Sequence, residues 1–281
     1  MTTPLVDSNW LLAHYGDSNI RVVDARFILT KPEAGRAAFE GGHIPGAVFV
    51  DLEHDLSAGV RADRVGGRHP LPSVAQLEAL FSRLGISNEH HVVAYDDPGT
   101  GGGFYAPHLW WMLRYMGHDK VSVLDGGFPA WVASGGAIET DARSYEAAVF
   151  HARPRPEMLV DADYVQGRRA GAVLVDSRAG ERFRGEVEPL DWKAGHIPGA
   201  INRNWAEGMQ DGRWKAAEAQ AERFESVRNG GEVIVYCGSG VSAAGNLIAL
   251  EIAGVHGAKL YAGSWSDWIS DDSRPVATGG E

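Results

Sequence analysis

The sequence predicts an α/β fold built twice in one chain: two tandem domains, each a mostly parallel sheet flanked by helices. Three observations lead there. The hexapeptide GHIPGA occurs at Gly42–Ala47 and again at Gly195–Ala200. Short apolar runs alternate with helix-patterned segments in both halves, the pattern of strands joined by crossover helices. The landmarks around the two hexapeptides also recur in one order, which marks an internal duplication.

The elements follow that order. Upstream of each hexapeptide an apolar strand ends in Asp-x-Arg, VVDAR with Asp24 and Arg26 and LVDSR with Asp176 and Arg178. Downstream, SVAQLEALFSRLG has the signature of a helix that Ser73 caps and Gly85 ends, and KAAEAQAERFESV takes the same place in the second copy. The strand HVVAYDD (His91–Asp97) parallels EVIVYCG (Glu232–Gly238), and LDGGFPAW (Leu124–Trp131) parallels YAGSWSDW (Tyr261–Trp268). The two copies are joined near VFHARPRPEMLV, where two prolines and two arginines interrupt any periodic pattern. The expected organisation is therefore a domain over residues 1–148, a linker over 149–160 and a second domain over 161–281. Crossovers between parallel strands are right-handed and cover both faces of the sheet. Ligands in such folds collect at the carboxyl ends of the strands.

Composition excludes several functions. A formal net charge of -11 argues against a nucleic-acid partner, which needs concentrated Lys and Arg. One cysteine cannot form an internal disulfide or a multi-thiolate zinc site. The histidines lack the His-x-x-x-His spacing of a metal site, so no metal and no organic cofactor is expected. No apolar run suits a membrane span and the N-terminus lacks a secretory pattern, so a cytoplasmic address is expected. DDPGTGGGFYAP (Asp96–Pro107) is glycine-rich but lacks the Gly-Lys-Ser/Thr ending of a phosphate loop.

The single thiol, Cys237, stands where a buried strand meets CGSGVS and then a helix starting near Ser242 or Ala243. Gly238 and Gly240 permit backbone angles closed to other residues, so the N–H groups of Gly238, Gly240, Val241 and Ser242 are expected to turn inward as a cradle for negative charge. A helix N-terminus contributes about 0.3 to 2 kcal/mol toward an anion, enough to favour thiolate over a reference thiol near ~8.5. A cysteine phosphatase would need an arginine six positions on, where Ala243 stands. Nucleophilic attack on sulfur, with a persulfide held by the same amides, remains; so does an inert thiol filling a core gap.

At these residues the chain resembles the tandem-domain rhodanese family. FEGGHIPGAVFV (Phe39–Val50) is similar to the family's N-terminal signature and YAGSWSDW to its C-terminal one, with Asp267 where glutamate is usual. The resemblance implies an inactive first domain, since Asp96 matches the position of Cys237. CGSGVSA resembles the loop of 3-mercaptopyruvate sulfurtransferases, which implies that sulfur moves from 3-mercaptopyruvate through a Cys237 persulfide to a thiol, cyanide or thioredoxin-like acceptor. Thiosulfate as donor and a non-catalytic sulfur-carrier module are the alternatives. By the same resemblance Ser239, His69 and Glu53 relay protons, with Glu53 standing where the family has aspartate, and Arg182 anchors the donor. A second donor-binding arginine is expected after Glu188-Pro189, where Leu190 stands, with Arg184 as a possible substitute.

Other prominent residues have structural readings. His43 and His196, one in each hexapeptide, are expected to bond to backbone. Asp24 and Asp176 are expected to pair with Arg26 and Arg178. The tryptophans are expected in the core, with Trp265 either there or on a pocket wall.

Overall fold

The computed structural model describes residues 3–228 and 231–280. The chain forms two compact units, Met1–Ala58 with Pro72–Arg155 and Asp211–Trp214, and Gly59–Leu71 with Pro156–Gln210 and Lys215–Glu281. The segment 59–71 thus packs with the second unit, although it precedes most of the first in sequence.

In the first unit, β1 (Leu5–Val6), β2 (Ile20–Asp24), β3 (Val48–Phe49), β4 (His91–Tyr95) and β5 (Val121–Leu124) form a sheet in the order β1-β5-β4-β2-β3. Every pairing in it is parallel. Its helices are α1 (Ser8–His14), α2 (Glu33–Gly41), α3 (Val74–Arg83), α4 (Tyr105–Tyr115) and α5 (Gly127–Ala133). In the second unit, β6 (Leu159–Val160), β7 (Val173–Asp176), β8 (Ala200–Asn202), β11 (Val233–Tyr236) and β12 (Lys259–Tyr261) run in the order β6-β12-β11-β7-β8, again all parallel. Its helices are α6 (Ala162–Gln166), α7 (Gly180–Phe183), α8 (Ala217–Arg223), α9 (Glu225–Arg228), α10 (Ala243–Ile252) and α11 (Ser264–Trp268), and it carries the short strand β9 (Met209–Gln210), while the short strand β10 (Arg213–Trp214) belongs to the first unit. The two sheets follow one path, so the duplication read in the sequence is a duplication of topology.

Local chemistry explains the elements that matter for the site. Ser73 and Gln76 close a reciprocal capping box at the start of α3, worth about 1 kcal/mol. Gly85 follows that helix at φ +69 and donates its N–H to Ser82 O at 3.1 Å, a left-handed stop that suits glycine. The helix α10 is buried from Ala243 to Leu250. A helix apolar on all sides sits inside a domain rather than on its surface, and its N-terminus, where the cysteine loop enters, is fixed by that packing.

Each hexapeptide is tied to its sheet by the same network. Arg26 forks onto Asp24, with Nη2 to Oδ2 at 2.6 Å, and donates to Gly42 O at 2.8 Å. Arg178 does the same with Asp176 at 2.6 Å and Gly195 O at 2.7 Å. His43 bonds through Nδ1 to Phe39 O and His196 to Phe183 O, each imidazole stacked on that phenylalanine ring at 3.9 and 3.8 Å. The expected structural roles of these residues match this geometry. The second core gathers Phe183, Ile197, Tyr236, Trp265 and Trp268 around β11. Among the described residues no helix is long and apolar enough to cross a membrane.

Candidate active site

The strand β11 ends at Tyr236 and α10 begins at Ala243, leaving Cys237–Ser242 as a loop at the carboxyl end of a central strand. α11 clamps this loop from one side. Trp265 N–H donates to Cys237 O at 3.0 Å, Ser266 N–H to Gly238 O at 2.9 Å, and Cys237 N–H to Ser264 Oγ at 3.1 Å. Gly240 has φ +86, and a Cβ there would run into the Ala262 carbonyl, so both conformation and space require glycine. Its N–H donates to Cys237 Sγ at 3.2 Å. Among the described residues it is the one amide that does so, fewer than the loop sequence suggested. The N–H groups of Gly238, Ser239, Val241 and Ser242 have no protein acceptor among the described residues. Cys237 is 1% exposed, but the groups around its loop are strongly polar.

Two guanidinium groups reach Gly238. A Cβ built on this residue would lie 3.1 Å from Arg68 Nη2 and 3.4 Å from Arg182 Nη2. Gly238 does not adopt positive φ; the expectation that it, like Gly240, needs special backbone angles is corrected, and its missing side chain instead makes room for the two cations. Arg182 donates from Nη2 to Glu188 Oε1 at 2.7 Å and to Asp191 Oδ2 at 3.3 Å. Arg68 donates from Nη1 to Asp191 Oδ1. Arg184, proposed from sequence as a substitute cation, instead forks onto Glu186 and is exposed. Leu190 is exposed as well.

Arg68 was missed in the sequence. It stands next to His69 in RHPLP, and that adjacency was its only signal, because nothing local reveals that residues 59–71 fold against the second unit. Gly66 N–H bonds to Asp267 Oδ1 at 2.7 Å and Arg68 N–H to Ser266 Oγ at 3.1 Å, so α11 anchors this segment as well as the cysteine loop. Asp267 also accepts from Tyr261 Oη at 2.5 Å, which shows what the acidic residue of the C-terminal signature holds together.

The same anchoring brings His69 Nδ1 to 2.8 Å from Ser239 Oγ. Ser239 is buried. His69 is half-buried, and desolvation, with the nearby Arg68 charge second, pulls its imidazole down to about 4, so it is neutral at physiological pH. Glu53 belongs to the first compact unit; its side chain is exposed, and its backbone N–H donates to Asp51 Oδ1 at 2.8 Å. Among the described residues the side chain of His69 has one hydrogen-bond partner, Ser239. Trp265 resolves to the core: it is fully buried, donates Nε1–H to Lys193 O at 2.8 Å and carries the Arg178 guanidinium 4.8 Å above its ring.

The first unit shows the same loop position with different chemistry. Asp96 follows β4 as Cys237 follows β11 and accepts the N–H groups of Gly103 at 2.9 Å, Tyr105 at 2.9 Å and Ala106 at 3.1 Å at the start of α4. Burial pushes its carboxyl up to about 6, against the pull of those amides. A side chain already fills the amide nest, and it has no sulfur to offer.

Comparison with known proteins places the chain in a family. A model of the Rhodanese-like domain matches residues 7–134 and again 161–271. The chain is 44% identical to the probable 3-mercaptopyruvate sulfurtransferase of Pseudomonas aeruginosa, with 98% of each chain covered. It is 43% identical to the putative thiosulfate sulfurtransferase SseB of Mycobacterium tuberculosis, covering 92% of this chain and 91% of that one. Among solved structures it resembles SseA from Escherichia coli, described as a 3-mercaptopyruvate sulfotransferase with the rhodanese fold, at a TM-score of 0.82 and 35% identity over 94% of this chain and 100% of that one. With two matches to the domain model and relatives of this similarity over nearly its whole length, the chain belongs to the rhodanese-like family and carries its domain in tandem.

Proposed function

We propose that this protein is a sulfurtransferase that takes sulfur from 3-mercaptopyruvate onto Cys237 and passes it to a thiol or cyanide. The observation that carries the choice of donor is the pairing of His69 with Ser239 at 2.8 Å, two residues past the cysteine. The two donors named by the relatives differ in what their leaving groups need. Thiosulfate releases sulfite, a stable anion. 3-Mercaptopyruvate releases a carbanion equivalent at C3, which needs a proton, and a hydroxyl–imidazole pair two residues past the nucleophile in sequence supplies a path for one.

The Cys237 thiolate attacks the donor sulfur, an S–S bond forms and the C–S bond breaks, with its electron pair passing to C3 as the enolate of pyruvate. The proton that began on the donor thiol moves through Ser239 and neutral His69 to C3, leaving pyruvate and the Cys237 persulfide anion. The Gly240 N–H and the loop amides that lack protein acceptors are available to that anion. An acceptor thiolate or cyanide then attacks the outer sulfur and returns Cys237 to thiolate. Arg182, partly exposed beside Gly238, binds the donor's carboxylate. A protein working through a lone reduced thiol on thiol acceptors suits a reducing, cytoplasmic setting.

Steady-state assays with both donors test the choice. A larger kcat/KM for 3-mercaptopyruvate is expected, and a larger value for thiosulfate would reverse the assignment.

A further inference from the structure

The departure at Leu190 leaves the donor site with one anchoring arginine in the sequence, and the structure brings a second from elsewhere. We infer that Arg68 is the second donor-binding cation, and that Asp191, by bridging Arg68 and Arg182, positions both and sets the charge of the site to suit a monoanionic carboxylate rather than a dianion. This rests on the sulfurtransferase reading above and adds to it the residues that select the donor.

Arg68 and Arg182 both approach the position of a Gly238 Cβ, at 3.1 and 3.4 Å, on the residue that follows the nucleophile. Their side chains are 26% and 16% exposed, so an incoming anion can reach them, whereas Asp191 is 4% exposed and bonds to both. Glu188, also 4% exposed, holds the far side of Arg182. Counting Arg178, which shares Glu188 and pairs with Asp176, the cluster holds three guanidinium groups and three buried carboxylates, Asp176, Glu188 and Asp191. A site balanced in this way binds a carboxylate through directed hydrogen bonds from two forks. It offers no surplus positive charge of the kind that favours a doubly charged anion such as thiosulfate. The other nearby arginine is unsuited, because Arg184 is engaged by Glu186 at the surface.

The test compares the wild type with Arg68→Ala, Arg68→Lys and Asp191→Asn, using 3-mercaptopyruvate and thiosulfate as donors and following pyruvate or sulfite release. For Arg68→Ala the KM for 3-mercaptopyruvate should rise about 10- to 100-fold with kcat within about threefold, the loss expected of a charge-assisted hydrogen bond. Arg68→Lys, which keeps the charge and loses the fork, should recover part of it. Asp191→Asn should raise kcat/KM for thiosulfate relative to 3-mercaptopyruvate by about tenfold. A merely structural role would instead lower kcat for both donors together. An unchanged KM in Arg68→Ala, or an Asp191→Asn variant that moves both donors equally, would overturn the inference while leaving the sulfurtransferase reading intact. Failure of wild-type Cys237 to take up sulfur from either donor would overturn both.

Discussion

His69 Nδ1 and Ser239 Oγ lie 2.8 Å apart although 170 positions separate them in sequence. The contact exists because residues 59–71 pack with the second compact unit, anchored through Gly66 and Arg68 to α11. In the proposed mechanism it ties the conformation of a glycine-rich segment to proton transfer at the cysteine.

Replacing either partner should therefore affect the two donors differently. His69→Ala and Ser239→Ala are expected to lower kcat/KM for 3-mercaptopyruvate by about 100- to 1,000-fold, the range of a lost general acid–base path, and to change thiosulfate turnover by less than about threefold. Glu53→Gln, with its exposed side chain, should leave both donors within about twofold of wild type. Parallel assays of the three variants check this, and equal losses on both donors would place His69 and Ser239 in a structural role.

The protonation of His69 gives a second prediction. Desolvation first, and then Arg68, draws its imidazole from 6.5 down to about 4, so the ring remains neutral through the mildly acidic range. The acid limb of kcat/KM for 3-mercaptopyruvate should fall near pH 4 rather than near 6.5 and should disappear in His69→Ala. Because the folded value is depressed, the stability this residue contributes is present above about 6.5 and is lost as pH falls through about 4.

Asp96 acts in the opposite sense. Its carboxyl is raised from 3.8 to about 6 by burial, so its contribution to stability is fully present below 3.8 and is lost as pH rises through about 6. The loss is on the order of 3 kcal/mol. Asp96→Asn keeps an acceptor for the amides of Gly103, Tyr105 and Ala106 without an ionisation. Denaturant unfolding from pH 4 to pH 7 should show wild type losing stability relative to this variant as pH rises; parallel curves would contradict the burial argument.

The duplicated ion pairs allow a comparison within one molecule. Asp176→Asn leaves Arg178 buried without its fork partner, and Asp24→Asn does the same to Arg26. Each should cost about 3 to 5 kcal/mol, read as a fall in thermal midpoint. The loss at Arg178 should be the smaller, since Glu188 Oε2 stands 3.3 Å from its Nη1 and offers a second carboxylate.

Much of this was legible in the sequence, and the reasons differ by residue. The repeated hexapeptide, the Asp-x-Arg strand ends and the Ser73 cap are local signals, and each determined a local structure. Cys237 stood out because a reactive loop is itself local: strand, glycine turn and helix lie within a few residues. The two-residue strands β1 and β6 left no apolar period to read. Arg68 was not legible because its importance comes from where segment 59–71 docks, a long-range packing choice that no local pattern encodes. Gly238 was misread for a related reason, since the space it leaves serves side chains far away in sequence.

The most direct test is a single turnover of the purified protein with 3-mercaptopyruvate, with pyruvate quantified and the mass of the Cys237 peptide measured before any acceptor is added. One pyruvate per chain and the added mass of one sulfur atom on Cys237 are expected, with neither seen in Cys237→Ser. Pyruvate release without sulfur on that cysteine, or undiminished release from the serine variant, would contradict the assignment of Cys237 as the sulfur-carrying nucleophile.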